Sequence, residues 1–256
     1  MWAFRLVTRR RLGLPISLGG HGGSKHDKVF DSFGDVAQND GLSGHQTRHF
    51  MLLDAVFKAF RSVWGGRVAR EPSNYQGYSD TRPDVGVEGV GSGGGMLLAD
   101  VKFLDSVGSD GAPALRGAMV GMGNTEPRAR ETVHGLRQRG APEDRRHNPK
   151  TGKGFVKEKK GQYTRAEAAG CTVVCALFEV WGGWGQETEA VFQQCAQDRQ
   201  NKLTGAEYDD EATWSTRTWL SFQAQKISVA LHYAAALEIS KALGLATAGD
   251  AGARGD

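Results

Sequence analysis

Three segments of the chain have apolar residues three and four positions apart, the spacing that gives a helix one apolar face. The first covers residues 47–64 and is followed by Gly65-Gly66, a pair that favours a helix end. The second covers residues 186–203, and the third is an Ala-rich segment over residues 216–243. The inward residues predicted for the three helices are Leu53, Val56, Phe57, Phe60, Val63 and Trp64, then Val191 and Phe192, then Leu220, Ile227, Leu231 and Ala234.

Short apolar runs bounded by glycine, proline or polar residues predict the strands. One lies within residues 67–71, and two more flank a Gly-rich turn from Gly89 to Gly95. Residues 171–180 are continuously apolar and rich in β-branched side chains, which is typical of a buried central strand. Together with the helices, these strands predict an α/β fold with a small mixed β-sheet flanked by helices.

Segments without sustained periodicity divide the chain. Residues 1–46 are predicted to be a loop-rich N-terminal segment, and residues 47–245 an α/β domain. A Gly-rich and basic insertion interrupts this domain at about residues 105–160, with a short helix near residues 128–137. The acidic residues 204–213 predict a loop, and residues 246–256 predict a disordered tail.

Composition narrows the class of protein. The apolar share of 39% and charged share of 24% are ordinary for a soluble globular protein, and the net charge of +3 does not by itself indicate a nucleic-acid partner. Three cysteines without a Cys-x-x-Cys pair favour a reducing compartment, so a nuclear or cytoplasmic location is expected. The basic, acid-free residues 1–11 leave a mitochondrial presequence as the less favoured alternative. No apolar run reaches the roughly 20 residues of a membrane helix, so no membrane partner is expected.

The hairpin around the Gly-rich turn carries two acids and an amine. Asp84 precedes the turn, whereas Asp100 and Lys102 follow it in an otherwise apolar run. Because successive strand residues alternate faces, Asp100 and Lys102 project to the same side, and Asp84 is expected opposite them. Two carboxylates that hold a divalent cation beside an amine suit phosphodiester cleavage. The alternative is a salt-bridged surface hairpin.

A basic run covers the end of the predicted insertion and the residues just after it. It would suit DNA phosphates, although such runs are also common on solvated faces. We take as candidate nucleic-acid contacts Arg145, Arg146, Lys150, Lys153, Lys157, Lys159, Lys160, Tyr163 and Arg165.

The hairpin resembles a known nuclease signature. Pro83-Asp84 with Asp100-Val101-Lys102 is similar to the PD-(D/E)xK motif, and the surrounding chain resembles the restriction-like endonuclease domain that ends some retrotransposon-encoded reverse transcriptase polyproteins. The likeness covers roughly residues 9–243. Its other matching stretches are Arg9-Arg10-Arg11-Leu12-Gly13-Leu14-Pro15, Asp31-Ser32-Phe33-Gly34-Asp35, Thr47-Arg48-His49, Glu71-Pro72, the run from Phe178 to Gly185, and Ile227-Ser228-Val229-Ala230-Leu231.

The resemblance implies a metal-dependent endodeoxyribonuclease with DNA as its partner and Mg²⁺ or Mn²⁺ as its cofactor. Asp84, Asp100 and the carbonyl of Val101 would then ligate the metal, Lys102 would be catalytic, and Glu71 and Glu88 would be auxiliary carboxylates. The alternative function is a catalytically inactive retroelement remnant that folds and binds nucleic acid without cutting it.

Zinc is not expected, although the relatives carry a zinc knuckle near residues 24–40. At the four ligand positions of that pattern this chain has Ser24, His26, Val36 and Asp40. Tetrahedral structural zinc needs four Cys or His donors, so the site is degenerate. His45 and His49 are four residues apart, but the helix is predicted to begin between them, and we interpret both as capping and surface residues.

Overall fold

The fold is given by a computed structural model that describes residues 2–12, 14–16, 30–34, 37–38, 45–72, 82–104, 163–179, 182–211 and 216–243. Its α-helices are α1 (Trp2–Arg11), α2 (His45–Trp64), α3 (Thr164–Ala168), α4 (Gln186–Asp198) and α5 (Trp219–Ala242). Its strands are β1 (Val68–Arg70), β2 (Val85–Val87), β3 (Leu97–Leu104) and β4 (Thr172–Glu179). Two 3₁₀ turns cover Gly65–Arg67 and Ser92–Gly94, and a π-helical turn covers Glu207–Glu211.

The four strands form one mixed sheet in the order β1-β2-β3-β4. The pairs β1–β2 and β2–β3 are antiparallel, whereas β3 and β4 are parallel. Parallel neighbours need a crossover connection, and α3 lies within the segment that joins them. This arrangement confirms the predicted α/β class with a small mixed sheet flanked by helices.

The Gly-rich hairpin turn between β2 and β3 requires glycine for space. The amide of Gly91 donates to the carbonyl of Gly95 at 2.8 Å. A Cβ added at Gly91 would lie 2.5 Å from the carbonyl oxygen of Met96, which is too close for any side chain. The turn thereby fixes the register of β2 against β3, and with it the positions of the residues at the open end of the hairpin.

The larger core covers one face of the sheet. Val101 of β3 and Phe178 of β4 are fully buried there, against the apolar face of α2. Helices α4 and α5 complete this layer through Phe192 and Trp219, whose rings stack with centroids 6.2 Å apart. A smaller apolar cluster on the opposite face is formed by Leu98, Tyr163, Ala166, Val173, Cys175 and Leu177. The sheet is therefore covered on both faces, which suits its apolar central strands.

Several sequence predictions agree with these elements and others do not. The three predicted helices and the strands near residues 67–71, 96–103 and 171–180 are confirmed, with ends shifted by a few residues. Helix α2 begins at His45 and not between His45 and His49, so that interpretation was wrong. Residues 207–211 are helical where a loop was predicted.

The N-terminal segment is not loop throughout, because residues 2–11 form α1. Leu6 of this helix is buried against Ala236 and Ile239 of α5. Five of its ten residues are apolar, but four are arginines and the first turn has no acid, so tertiary packing outweighs a weak local signal. The insertion over residues 105–160, its helix near residues 128–137 and the tail over residues 246–256 lie outside the described residues. No helix in the described part of the chain is long and apolar enough to cross a bilayer.

Candidate catalytic site

The strand register brings Asp84 and Asp100 together. Val85 pairs with Ala99 in the antiparallel β2–β3 ladder, so the residue before Val85 faces the residue after Ala99. Those two residues are Asp84 and Asp100. Residues opposite each other in an antiparallel pair have Cβ atoms about 4.5–5.5 Å apart. The two carboxylates are close enough that each affects the pKa of the other.

Both oxygens of the Asp84 carboxylate are held by donors. The amide N–H of Val101 donates to Oδ2 at 2.7 Å, and Nε2 of His49 lies 3.2 Å from Oδ1. These donors come from β3 and from the first turns of α2. Asp84 is therefore fixed between the sheet and the helix that covers it.

Asp100 is paired with Lys102 two residues along the same strand. Lys102 Nζ lies 2.8 Å from Asp100 Oδ2, and the side chains are 38% and 6% exposed, respectively. The carboxylate is thus buried, while the amine extends from it towards solvent. A group outside the protein can reach Lys102 without unfolding the strand.

The two carboxylates have different affinities for a proton. Burial raises the pKa of Asp100 to about 6, and the Lys102 ammonium only partly opposes this effect. Burial also penalises ionised Asp84, but hydrogen bonds from His49 and Val101 outweigh it and leave the pKa of Asp84 below its usual value. When the pair holds one proton, that proton therefore belongs on Asp100.

The pKa of His49 is shifted upwards by the same contact. The hydrogen bond to Asp84 raises the pKa of His49 above 6.5, against a smaller opposing effect of burial. The sequence interpretation of His49 as a capping or surface residue missed this role. The partner of His49 is a carboxylate 35 positions later in the chain, which helical periodicity does not reveal.

Tyr163 lies beside Asp100 on the sheet face that carries the smaller apolar cluster. It is 3% exposed, and its hydroxyl lies 3.4 Å from the carbonyl oxygen of Arg82, as a long hydrogen bond. Burial and the negative charges of Asp100 and Asp84 raise the pKa of its phenol. The sequence predicts Tyr163 as a DNA contact, but this burial leaves almost none of its ring available for one.

The remaining site candidates occupy different places. The amide of Glu71 donates to the Asp84 carbonyl at 2.8 Å, but its carboxylate pairs with Arg82 at 3.0 Å. Glu88 is four residues beyond Asp84, roughly 13 Å along an extended strand, so it lies at the other end of β2. Val101 offers its amide to Asp84, and its side chain is buried in the core.

Most of the basic run lies outside the described residues. Arg165 is exposed on α3. The other basic candidates, Arg145, Arg146, Lys150, Lys153, Lys157, Lys159 and Lys160, lie outside the described residues, as do the degenerate knuckle positions Ser24, His26, Val36 and Asp40.

The donor set suits a hard divalent cation in part. Among the residues that the structure describes, no three His, Cys, Asp or Glu side chains form a ready-made metal site. Magnesium, however, is usually held by one or two carboxylates, with water and substrate oxygens completing its shell. Each oxygen of Asp84 keeps a second lone pair beside the one its donor uses. Asp84 and Asp100 therefore fit Mg²⁺ or Mn²⁺ as a two-carboxylate site.

Comparison of the chain with protein-family models, with curated proteins and with solved structures finds no match.

Proposed function

We propose that this chain is a divalent-metal-dependent DNA endonuclease domain of the PD-(D/E)xK type, derived from a retroelement. The observation that carries the proposal is the meeting of Asp84, Asp100 and Lys102 at the open end of one hairpin, with Lys102 Nζ 2.8 Å from Asp100. Two carboxylates beside an amine are a sufficient protein set for cation-assisted hydrolysis of a phosphodiester.

Each of these residues has a distinct role in the proposed reaction. Asp84 and Asp100 would hold Mg²⁺ or Mn²⁺, with the carbonyl oxygen of Val101 as a further ligand. The bound cation supplies Lewis-acid polarisation of the scissile phosphate and a more acidic bound water. Lys102 donates to a phosphate oxygen and stabilises the negative charge that develops there in the transition state. Tyr163 excludes water from the sheet face beside Asp100.

The order of elements supports a restriction-endonuclease-like fold. The succession α2-β1-β2-β3-α3-β4, with two antiparallel contacts and one parallel contact, brings Asp84, just before β2, beside Asp100 on β3. DNA is the proposed partner because the exposed Arg165 and the basic residues before it would neutralise phosphates.

One observation favours an inactive remnant as the second candidate. The Lys102 ammonium already neutralises Asp100 within the protein, at 2.8 Å. This pairing gives Asp100 a counter-charge within the protein without a cation. In this alternative the chain folds and binds nucleic acid but does not hydrolyse it.

Cleavage of supercoiled plasmid by the full chain separates the two candidates. An active nuclease nicks the plasmid with Mg²⁺ or Mn²⁺ and stops when EDTA is added. Asp100→Asn should lower the rate at least about a hundredfold. The matched control is Asp54→Asn, because Asp54 is 41% exposed and pairs with Lys58 on α2. Equal activity of Asp100→Asn and the unmodified chain would assign the cutting to another site, and plasmid binding without cutting would favour the remnant.

A further inference from the structure

We infer that His49 is a positioning residue for the proposed cation site, holding the Asp84 carboxylate in the one orientation that suits a divalent cation shared with Asp100. This inference rests on the proposed function and extends it to a side chain on a different element. Nε2 of His49 lies 3.2 Å from Asp84 Oδ1.

Asp84 needs such a restraint because of its place in the chain. It stands immediately before β2 (Val85–Val87), outside the paired residues of that strand. The terminal torsion of an Asp side chain is broad, so one donor alone leaves the carboxylate plane free to turn. Val101 of β3 holds Oδ2 at 2.7 Å, and His49 holds the other oxygen. These two donors, one on β3 and one on α2, together fix the plane of the Asp84 carboxylate.

The first turns of α2 are themselves anchored, which makes His49 a firm support. The neighbouring Arg48 is 1% exposed, and its Nε lies 3.2 Å from Oε2 of Glu238 on α5. Its guanidinium also lies over the ring of Phe103 on β3, 4.1 Å from the centroid. Arg48 thus ties this turn to the strand that carries Asp100 and Lys102. This anchoring of Arg48 also fixes the position of His49, the next residue of α2, relative to the carboxylates of Asp84 and Asp100.

His49 acts through Asp84 and not as a ligand in its own right. Its nitrogen that faces Asp84 is used by that contact, and no three-group metal site is present in the described part of the chain. Residues that orient a metal ligand typically alter metal affinity by about 10–100-fold when they are removed. The expected effect of losing His49 is therefore on cation affinity first, and on cleavage through it.

Calorimetric titration of the full chain with Mn²⁺ tests this without relying on activity. His49→Leu removes the donor, whereas His49→Gln keeps an N–H donor of similar reach. Gln46→Leu is the control, since Gln46 is exposed one turn earlier on the same helix. We expect His49→Leu to weaken Mn²⁺ binding at least about tenfold, His49→Gln to recover most of it, and Gln46→Leu to leave it unchanged.

Cleavage at varied Mn²⁺ gives the second measurement. His49→Leu should need correspondingly more Mn²⁺ for half-maximal cleavage and approach the unmodified rate at saturation. If the unmodified chain binds Mn²⁺ and cuts DNA, but His49→Leu binds Mn²⁺ equally well, the inference fails while the nuclease proposal stands. Failure of His49→Gln to recover affinity would also overturn it. If the unmodified chain neither binds Mn²⁺ nor cuts, the proposed function fails, and the inference with it.

Discussion

Asp84 and Asp100 face each other across the β2–β3 pair, and their environments push their pKa values in opposite directions. Donors from His49 and Val101 favour the ionised form of Asp84, whereas burial favours the protonated form of Asp100 and raises its pKa to about 6. Such a divergent pair is typical of functional sites, because a fold selected only for stability has little reason to bury a second carboxylate beside the first.

The first prediction is that Asp100→Asn stabilises the folded chain at neutral pH. Below about pH 3 Asp100 is protonated in both folded and unfolded states, so the substitution changes little. As the pH rises towards 6, the unfolded chain ionises first and the unmodified protein loses stability relative to the variant. The gain at pH 7 should be on the order of 1–3 kcal/mol, and the raised pKa behind it already includes the opposing effect of Lys102.

Urea unfolding of both proteins between about pH 3 and pH 8 measures this difference. The free energies of unfolding should converge at the acidic end and separate through the range between pH 4 and pH 6. A variant that is less stable than the unmodified chain at pH 7 would show that the Lys102 pair outweighs the burial of Asp100.

The sequence predicts which residues of the hairpin lie together, but only some of the residues that contact them. Asp84, Asp100 and Lys102 were found because strand alternation and a glycine turn are local signals that fix which side chains share a face. His49 and Tyr163 were misjudged because their partners are distant in sequence. Similarly, α1 was missed because Leu6 is buried by Ile239, a contact between the two ends of the chain that no local pattern encodes.

The second prediction concerns the imidazole of His49. Its pKa should exceed 6.5 in the unmodified chain because its hydrogen bond to Asp84 favours the charged ring more than burial disfavours it. Asp84→Asn should lower the pKa of His49, since the partner charge is then absent. Proton NMR titration of the histidine ring resonances, assigned with His49→Gln, measures both values. An unchanged His49 pKa in Asp84→Asn would contradict the contact.

The third prediction is that removing the charge of Glu238 alone, from its buried pair with Arg48, lowers the free energy of unfolding substantially. Their side chains are 1% and 0% exposed. Glu238→Gln leaves the Arg48 charge buried without its counter-charge, so a loss of about 3–5 kcal/mol in the free energy of unfolding is expected. Lys58→Ala is the control, because its pair with Asp54 is exposed and should contribute less than about 1 kcal/mol. Similar losses in the two variants, measured by urea unfolding, would contradict this.

The fourth prediction separates DNA binding from DNA cutting. If the basic run holds phosphates, replacing Lys157, Lys159 and Lys160 with Ala should weaken DNA binding and flatten its salt dependence, by about 0.9 in the log–log slope per lost contact. Cleavage should fall only in proportion to the fraction of DNA that is bound.

Lys102→Ala should have the opposite effect, because Lys102 acts on the reacting phosphate. DNA binding should stay largely intact, while the single-turnover cleavage rate falls by about two orders of magnitude. Fluorescence anisotropy at several salt concentrations and single-turnover cleavage measure the two effects. If Lys102→Ala lost affinity and rate equally, Lys102 would be a binding residue and the proposed assignment of roles would be wrong.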